Sequence, residues 1–213
     1  MIKGIIFDLD GVIVHTDKFH YLAWKQLTDR EGIYFDETIN NQLRGVSRMD
    51  SLDIILRLSK RPYSDEEKLE MVTFKNNIYR SYLDTMTQKD VSNEVYNTLL
   101  SLKSAGIALA IGSSSRNARY ILEKTKIIGL FNAISDGNNI TRSKPDPEVF
   151  TMAAKMINLD PKECIVVEDA YAGIDAANSG GFISVGMGDA YGYDKSTYKI
   201  NKFSELLIIA DKL

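Results

Sequence analysis

The sequence predicts an α/β fold: a Rossmann-like parallel sheet core carrying an inserted α-helical cap domain. Two observations lead there. Short runs rich in Ile and Val alternate with helical patterns along most of the chain, as parallel strands joined by crossover helices do. The first two of these runs are separated by about ninety residues that read almost wholly helical, far more than one crossover needs. With 213 residues and an apolar fraction of 44%, the chain can build a core domain and a smaller inserted one.

The elements follow in order. IKGIIF (2–7) is the first strand. Helices are predicted over 17–31, 36–43, 48–60 and 65–86, the last two opened by Ser47–Asp50 and Ser64–Glu67, which fit the capping box. Residues 15–87 are therefore the expected cap, and 1–14 with 88–213 the core. EVYNTLLSLKSAG (94–106) is an amphipathic helix ended by Gly106 and followed by the strand IALAIG (107–112). PEVFTMAAKMINL (147–159) and AYAGIDAANSGG (170–181) read as crossover helices, and CIVV (164–167) and FISVG (182–186) as strands.

Composition narrows the function classes. Lys plus Arg number 26 against 29 Asp plus Glu, a net charge of −3 with no basic run, so no nucleic-acid partner is expected. No stretch approaches the ~20 apolar residues of a spanning helix, so no membrane is expected either. The single cysteine, Cys164, lies in an apolar strand and reads as a buried, inert thiol. These features fit a cytoplasmic protein acting on a small molecule, and its size is compatible with a monomer.

In an open parallel sheet, ligands bind beyond the carboxyl ends of the strands. There the chain places Asp8 and Asp10, then Ser113, Ser114 and Ser115, then Glu168 and Asp169, while the loop TRSKPDP (141–147) supplies Lys144. Read as extended, Asp8 and Asp10 face the same way, so four carboxylates are expected to converge. Unit charges ~4 Å apart repel by about 4 kcal/mol at an effective dielectric of ~20, which calls for a divalent cation. Oxygen ligands without paired His or Cys suit Mg²⁺, which leaves room for water and phosphate. Ser113 and Lys144 are suited to hold that phosphate, with Ser114 contributing its N–H. Asp8 is the expected nucleophile, forming an acyl phosphate, and Asp10 the general acid/base.

Taken singly, each piece has a structural explanation: a turn at Asp10-Gly11, a loop at SKPDP, a helix start at Glu168-Asp169. Taken in order, DxDG, a strand ending in Ser, Lys, and a strand ending in Glu-Asp resemble the four motifs of the haloacid dehalogenase-like superfamily of aspartate-dependent phosphotransferases. That resemblance implies phosphorylation of Asp8, acid/base work by Asp10, phosphate binding by Ser113 and Lys144, and Mg²⁺ held by Asp8, the Asp10 carbonyl, Glu168 and Asp169.

The predicted cap holds QLRGVSR (42–48), where Gly45 and the Ser47 cap put free N–H groups beside Arg44 and Arg48, an expected anion site that also takes in Val46. Arg116 and Asn117 follow the serine loop on the core side, so a second phosphate would lie between cap and core. This pattern is similar to that of the β-phosphoglucomutase branch of the superfamily. The resemblance implies that Arg48, Ser115 and Asn117 bind the distal phosphate of a sugar phosphate, that Lys75 contacts substrate, and that Thr16 and His20 position Asp10. It also implies glucose 1,6-bisphosphate as primer and intermediate. On sequence alone, His20 is a helix histidine on a face with Trp24 and Leu27, and Lys75 an exposed lysine near Glu70 and Arg80. Two departures stand out: His15 occupies a position that is acidic in many relatives, and Ser114 replaces an expected alanine.

Two rivals share the acidic pocket. A sugar-phosphate phosphatase would use Asp8 and Asp10 with water as acceptor. A non-enzymatic phosphoaspartate receiver is disfavoured by the large cap and by Asp10.

Overall fold

A computed structural model describes residues 1–213. Strands β1 (Gly4–Phe7), β2 (Ala108–Gly112), β3 (Ala133–Ser135), β4 (Cys164–Glu168), β5 (Ile183–Gly186) and β6 (Tyr198–Lys199) form one sheet in the order β3-β2-β1-β4-β5-β6. Every pairing is parallel, with Phe7 in register with Ile111 on one side and Val167 on the other. Both faces are covered, as parallel sheets require. Ile5, Phe7, Ile111 and Val167 point into one hydrophobic cluster, whereas the alternating Ile6, Ala110 and Val166 point into a second with Phe150 and Phe182. Reversal of strand order at β1 opens a crevice beyond its carboxyl end.

The predicted insertion is present as α1 (Asp17–Glu31), α2 (Glu37–Asn41), α3 (Arg48–Leu56) and α4 (Asp65–Leu83). These helices share their own cluster, which includes Trp24, Leu27, Phe35, Leu52, Ile55 and Met71. Ala23, Tyr79 and Leu83 instead join the larger cluster of the sheet, seating α1 and α4 on the core. We propose residues 15–87 as the cap on this basis, with 1–14 and 88–213 as the core. The remaining helices are α5 (Asn93–Ser104), α6 (Ala118–Lys124), α7 (Glu148–Met156), α8 (Tyr171–Ser179) and α9 (Leu206–Lys212).

Several expectations need correction. At Ser64 the capping box is complete, with Glu67 N–H donating to Oγ at 3.2 Å and Ser64 N–H donating to the Glu67 carboxylate at 2.8 Å. At Ser47 only half forms: the Asp50 amide donates to Oγ, but the serine hydroxyl, not its amide, donates to Asp50 Oδ2 at 2.6 Å. Aspartate is one methylene shorter than glutamate and takes the nearer donor. Helix α3 stops at Leu56 rather than residue 60, because Ser59 accepts from the Arg61 amide ahead of Pro62 and the chain turns. Three-residue β3, two-residue β6, α6 and α9 were not predicted; the two strands are too short to show a period.

Candidate active site

Strand β1 delivers Asp8 into the crevice, where its amide donates to the Val167 carbonyl at 2.9 Å. The strand then ends, and Gly11, at φ 82°, turns the chain tightly against Asp169: a Cβ there would stand 2.1 Å from Asp169 Oδ2. Asp8 and Asp10 both open into the cleft, but only Asp8 joins the carboxylate cluster. Oxygens of Asp8, Glu168 and Asp169 lie within 4.8 Å of one another, whereas the Asp10 carboxylate turns to the Thr16 hydroxyl and lies 3.9 Å from His20 Nε2. The expected cluster of four carboxylates is thus a cluster of three, and the Asp10 side chain stands apart from it.

Lys144 bridges Asp8 Oδ1 and Glu168 Oε1, each at 2.5 Å, and is wholly buried. Glu168 Oε2 accepts the Ala170 amide at 2.9 Å. Burial pushes Asp8 up to about 7, with Lys144 opposing and Glu168 adding to the rise. Burial and the neighbouring Glu168 and Asp8 push Asp169 to about 9. Burial works to lower the Lys144 pKa, but Asp8 and Glu168 outweigh it and the ammonium is held charged. One buried ammonium cannot neutralise three buried carboxylates, so the site lacks positive charge. An all-oxygen donor set of this kind fits Mg²⁺.

Beyond β2 the serines form a ladder: Ser113 Oγ accepts the Ser115 amide and Ser115 Oγ accepts the Asn117 amide, each at 3.2 Å. Ser114 uses its hydroxyl on the Gly45 carbonyl across the cleft at 3.3 Å, which gives its polarity a role that had not been expected. Asn117 donates to Asn76 on α4 at 2.9 Å, a second contact between core and helical insert. Arg116 donates through Nε to the Gly137 carbonyl at 3.1 Å.

In the loop before α3, the amides of Gly45 and Ser47 carry no hydrogen bond, as expected of an anion site. Gly45 has φ 73°, and Val46 lines the cleft beside it. Arg48 forms no ion pair; burial, and then Arg116, lower its pKa, so two cations face the cleft without a counter-charge. Arg44 behaves otherwise and corrects the expectation. Its guanidinium pairs with Asp17 Oδ2 at 3.0 Å and with Asp189, so its charge is already matched.

His20 and Lys75 also differ from their simplest reading. Lys75 is 1% exposed, with Nζ 4.7 and 4.6 Å from the Trp24 and Tyr79 ring centres and 2.9 Å from His20 Nδ1. Burial, followed by Arg48, drives the Lys75 pKa well down; burial, then Lys75 and Arg48, does the same for His20. Lysine can donate to Nδ1, which leaves the imidazole proton on Nε2, facing Asp10. Thr16 bonds Asp10 and lies 2.9 Å from Tyr79 Oη. Burial raises the Asp10 pKa to about 6, with the Thr16 bond opposing. Sequence reasoning missed Tyr79, Asn76, Asp17 and Asp189; the i, i+4 spacing of Lys75 and Tyr79 was the available signal for the first.

Asp8, Asp10, His20, Arg48, Lys75 and Ser113 line one cleft of about 640 Å³ between insert and core. Residues 2–181 match the family described as haloacid dehalogenase-like hydrolase. The chain belongs to that family. Among members of this haloacid dehalogenase-like family, a Beta-phosphoglucomutase of Bacillus subtilis is 40% identical over 188 residues, 87% of this chain and 83% of the relative. A crystal structure of beta-phosphoglucomutase from Clostridium difficile superposes with a TM-score of 0.94 at 40% identity, covering 100% of this chain and 97% of the other. A Phosphorylated carbohydrates phosphatase of Thermotoga maritima is 26% identical over 182 residues, 84% of this chain and 82% of the relative. The site has what aspartate-based phosphoryl transfer needs: a buried carboxylate beside a fixed cation, and a separate carboxyl group that titrates near neutrality.

Proposed function

We propose that this chain is a β-phosphoglucomutase, interconverting β-D-glucose 1-phosphate and β-D-glucose 6-phosphate through an aspartyl phosphate on Asp8 and a glucose 1,6-bisphosphate intermediate. The observation that carries this reading is a second anion site in the cleft that holds Asp8: Arg48 and Arg116, with no carboxylate partner, beside the free Gly45 and Ser47 amides. Likeness to the Bacillus and Clostridium enzymes supports the same substrate class.

In the first half-reaction Asp10 accepts the proton of the sugar 6-hydroxyl as that oxygen bonds to phosphorus and the bond from phosphorus to the Asp8 oxygen breaks. The bisphosphate then turns over. In the second, Asp8 attacks the 1-phosphate, and Asp10 returns the proton to the C1 oxygen that leaves, releasing glucose 6-phosphate. Glucose 1,6-bisphosphate serves as primer because it phosphorylates Asp8 directly. Lys144, Ser113 and the Ser114 amide hold the transferring phosphoryl group, and Arg48, Ser115, Arg116 and Asn117 the distal one. Thr16 and His20 aim Asp10, and Lys75 fixes the histidine tautomer. Asp8, the Asp10 carbonyl, Glu168 and Asp169 would hold Mg²⁺, which supplies charge stabilisation to the transferring oxygens when bound. The setting we infer is cytoplasmic and the protein a monomer acting on small molecules alone; no helix is long and apolar enough to cross a membrane.

The Thermotoga relative favours a second reading, a sugar-phosphate phosphatase in which water attacks phospho-Asp8. Arg48→Ala separates the two. Loss of the distal grip should cut mutase turnover on the order of a hundredfold, as for a lost charge-assisted contact of about 3 kcal/mol. Hydrolysis of small monophosphates unaffected by the change, with no mutase activity in the parent, would establish the phosphatase.

A further inference from the structure

The Gly45 loop is tied to the core on both sides of the crevice. Toward β2, the Ser114 hydroxyl donates to the Gly45 carbonyl at 3.3 Å. Toward β5, Arg44 pairs with Asp189 in the 3-10 turn Gly188–Gly192 and with Asp17 at the start of α1. That turn is in turn fixed to the metal-candidate cluster, because the Ala190 amide donates to the Asp169 carbonyl at 2.9 Å. Between the two ties Gly45 passes over the start of α8, where a Cβ would lie 3.5 Å from the Ala170 side chain.

We propose that Arg44 is a positioning residue: by clasping Asp189 and Asp17 it holds the Gly45 loop, with its free amides and Arg48, over phospho-Asp8, and so favours transfer to sugar over transfer to water. It is not a phosphate ligand in this role. A guanidinium shared between two carboxylates would have to break both pairs to reach an incoming phosphate, whereas Arg48 and Arg116 have no such partner to give up. Asp17 joins the cap side of the clasp just after the chain crosses from the core. Asp189 is the core side, so the clasp ties helical insert to core beside the cleft that Asp17 and Arg44 line.

This role rests on the aspartyl-phosphate reading above, and its test is chosen to fail separately. Arg44→Ala, Asp189→Ala, the double variant and Arg44→Lys are charged at Asp8 with acetyl phosphate in Mg²⁺, without sugar, and phosphate release is timed. Partly exposed pairs of this kind predict faster release, on the order of fivefold, in both single alanine variants. The double variant should add little to Arg44→Ala, which already breaks both pairs, and Arg44→Lys should recover part of the loss. Were Asp189→Ala to leave release unchanged while Arg44→Ala only raised the KM for sugar phosphate, Arg44 would be a phosphate ligand and the clasp would be overturned. Should acetyl phosphate fail to charge even the parent, the aspartyl-phosphate reading falls, and amide exchange in residues 42–47 and 188–192 decides the clasp alone. Faster exchange in both segments in both single variants upholds it, and unchanged exchange overturns it.

Discussion

Lys144 Nζ stands 2.5 Å from both Asp8 and Glu168, joining the first strand's carboxylate to the fourth strand's through a side chain with no exposure to solvent. Its removal leaves two buried carboxylates facing each other. Lys144→Met should therefore lower stability by about 3–5 kcal/mol in the metal-free protein. Added Mg²⁺ should recover part of that loss by binding the same oxygens. Thermal melts with and without Mg²⁺ check this, and an unchanged midpoint would mean that the bridge contributes nothing.

The acidic cluster also sets a pH dependence. Asp10, Asp8 and Asp169 sit at about 6, about 7 and about 9 in the fold, above the ordinary carboxylate value of 3.8. Groups raised on folding bind protons more tightly in the native state. Their contribution is complete below about pH 4 and is lost as pH rises through these three values. Metal-free protein should thus lose stability between about pH 6 and about pH 9, and Mg²⁺ at about 100 times its Kd should restore about 2.7 kcal/mol. Denaturation with EDTA and with Mg²⁺ at both ends of that window reads the effect, and a metal-free protein most stable at the alkaline end would refute it.

Gly173 presents a steric test of the same site. A Cβ there would fall 1.9 Å from Glu168 Cδ. Alanine gains about 1 kcal/mol over glycine in a helix, but crowding a packed buried position costs about 1–3 kcal/mol and displaces Glu168. Gly173→Ala should give weaker Mg²⁺ binding in a calorimetric titration and no net stabilisation.

Asp10 and Asp8 are distinguishable by the phosphoryl donor. Asp10→Asn should lower sugar-phosphate turnover by about 10²–10⁴-fold, the usual contribution of an acid/base group. Labelling of Asp8 by acetyl phosphate should persist in that variant, since its leaving group needs little protonation, and should vanish in Asp8→Asn. Mass spectrometry of the labelled protein reads both.

Much of this was legible in the sequence because every core motif but the Lys144 loop sits directly after an apolar strand, where topology alone brings it into the crevice. Asp8, Ser113, Lys144, Glu168 and Asp169 needed no side-chain detail. What escaped depended on turns and on partners distant in sequence. Period-two reasoning turned Asp10 to the crevice but could not name its partner, the Thr16 hydroxyl six residues on, past the turn at Gly11. Arg44 looked like an anion ligand beside Gly45; its actual partner lies 145 residues away in a turn without a motif. Burial of Lys75 reflects the stacking of α1 against α4, with Trp24 and Tyr79 on either side, which helical periodicity cannot announce for a charged residue.

The most direct measurement is phosphorus NMR of the protein with β-glucose 1-phosphate, Mg²⁺ and a trace of glucose 1,6-bisphosphate, following glucose 6-phosphate and free phosphate together. Glucose 6-phosphate should accumulate with little free phosphate, because Asp10 delivers the sugar hydroxyl under a cap that keeps water from phospho-Asp8. Free phosphate as the main product would contradict the mutase account and make this chain a phosphatase.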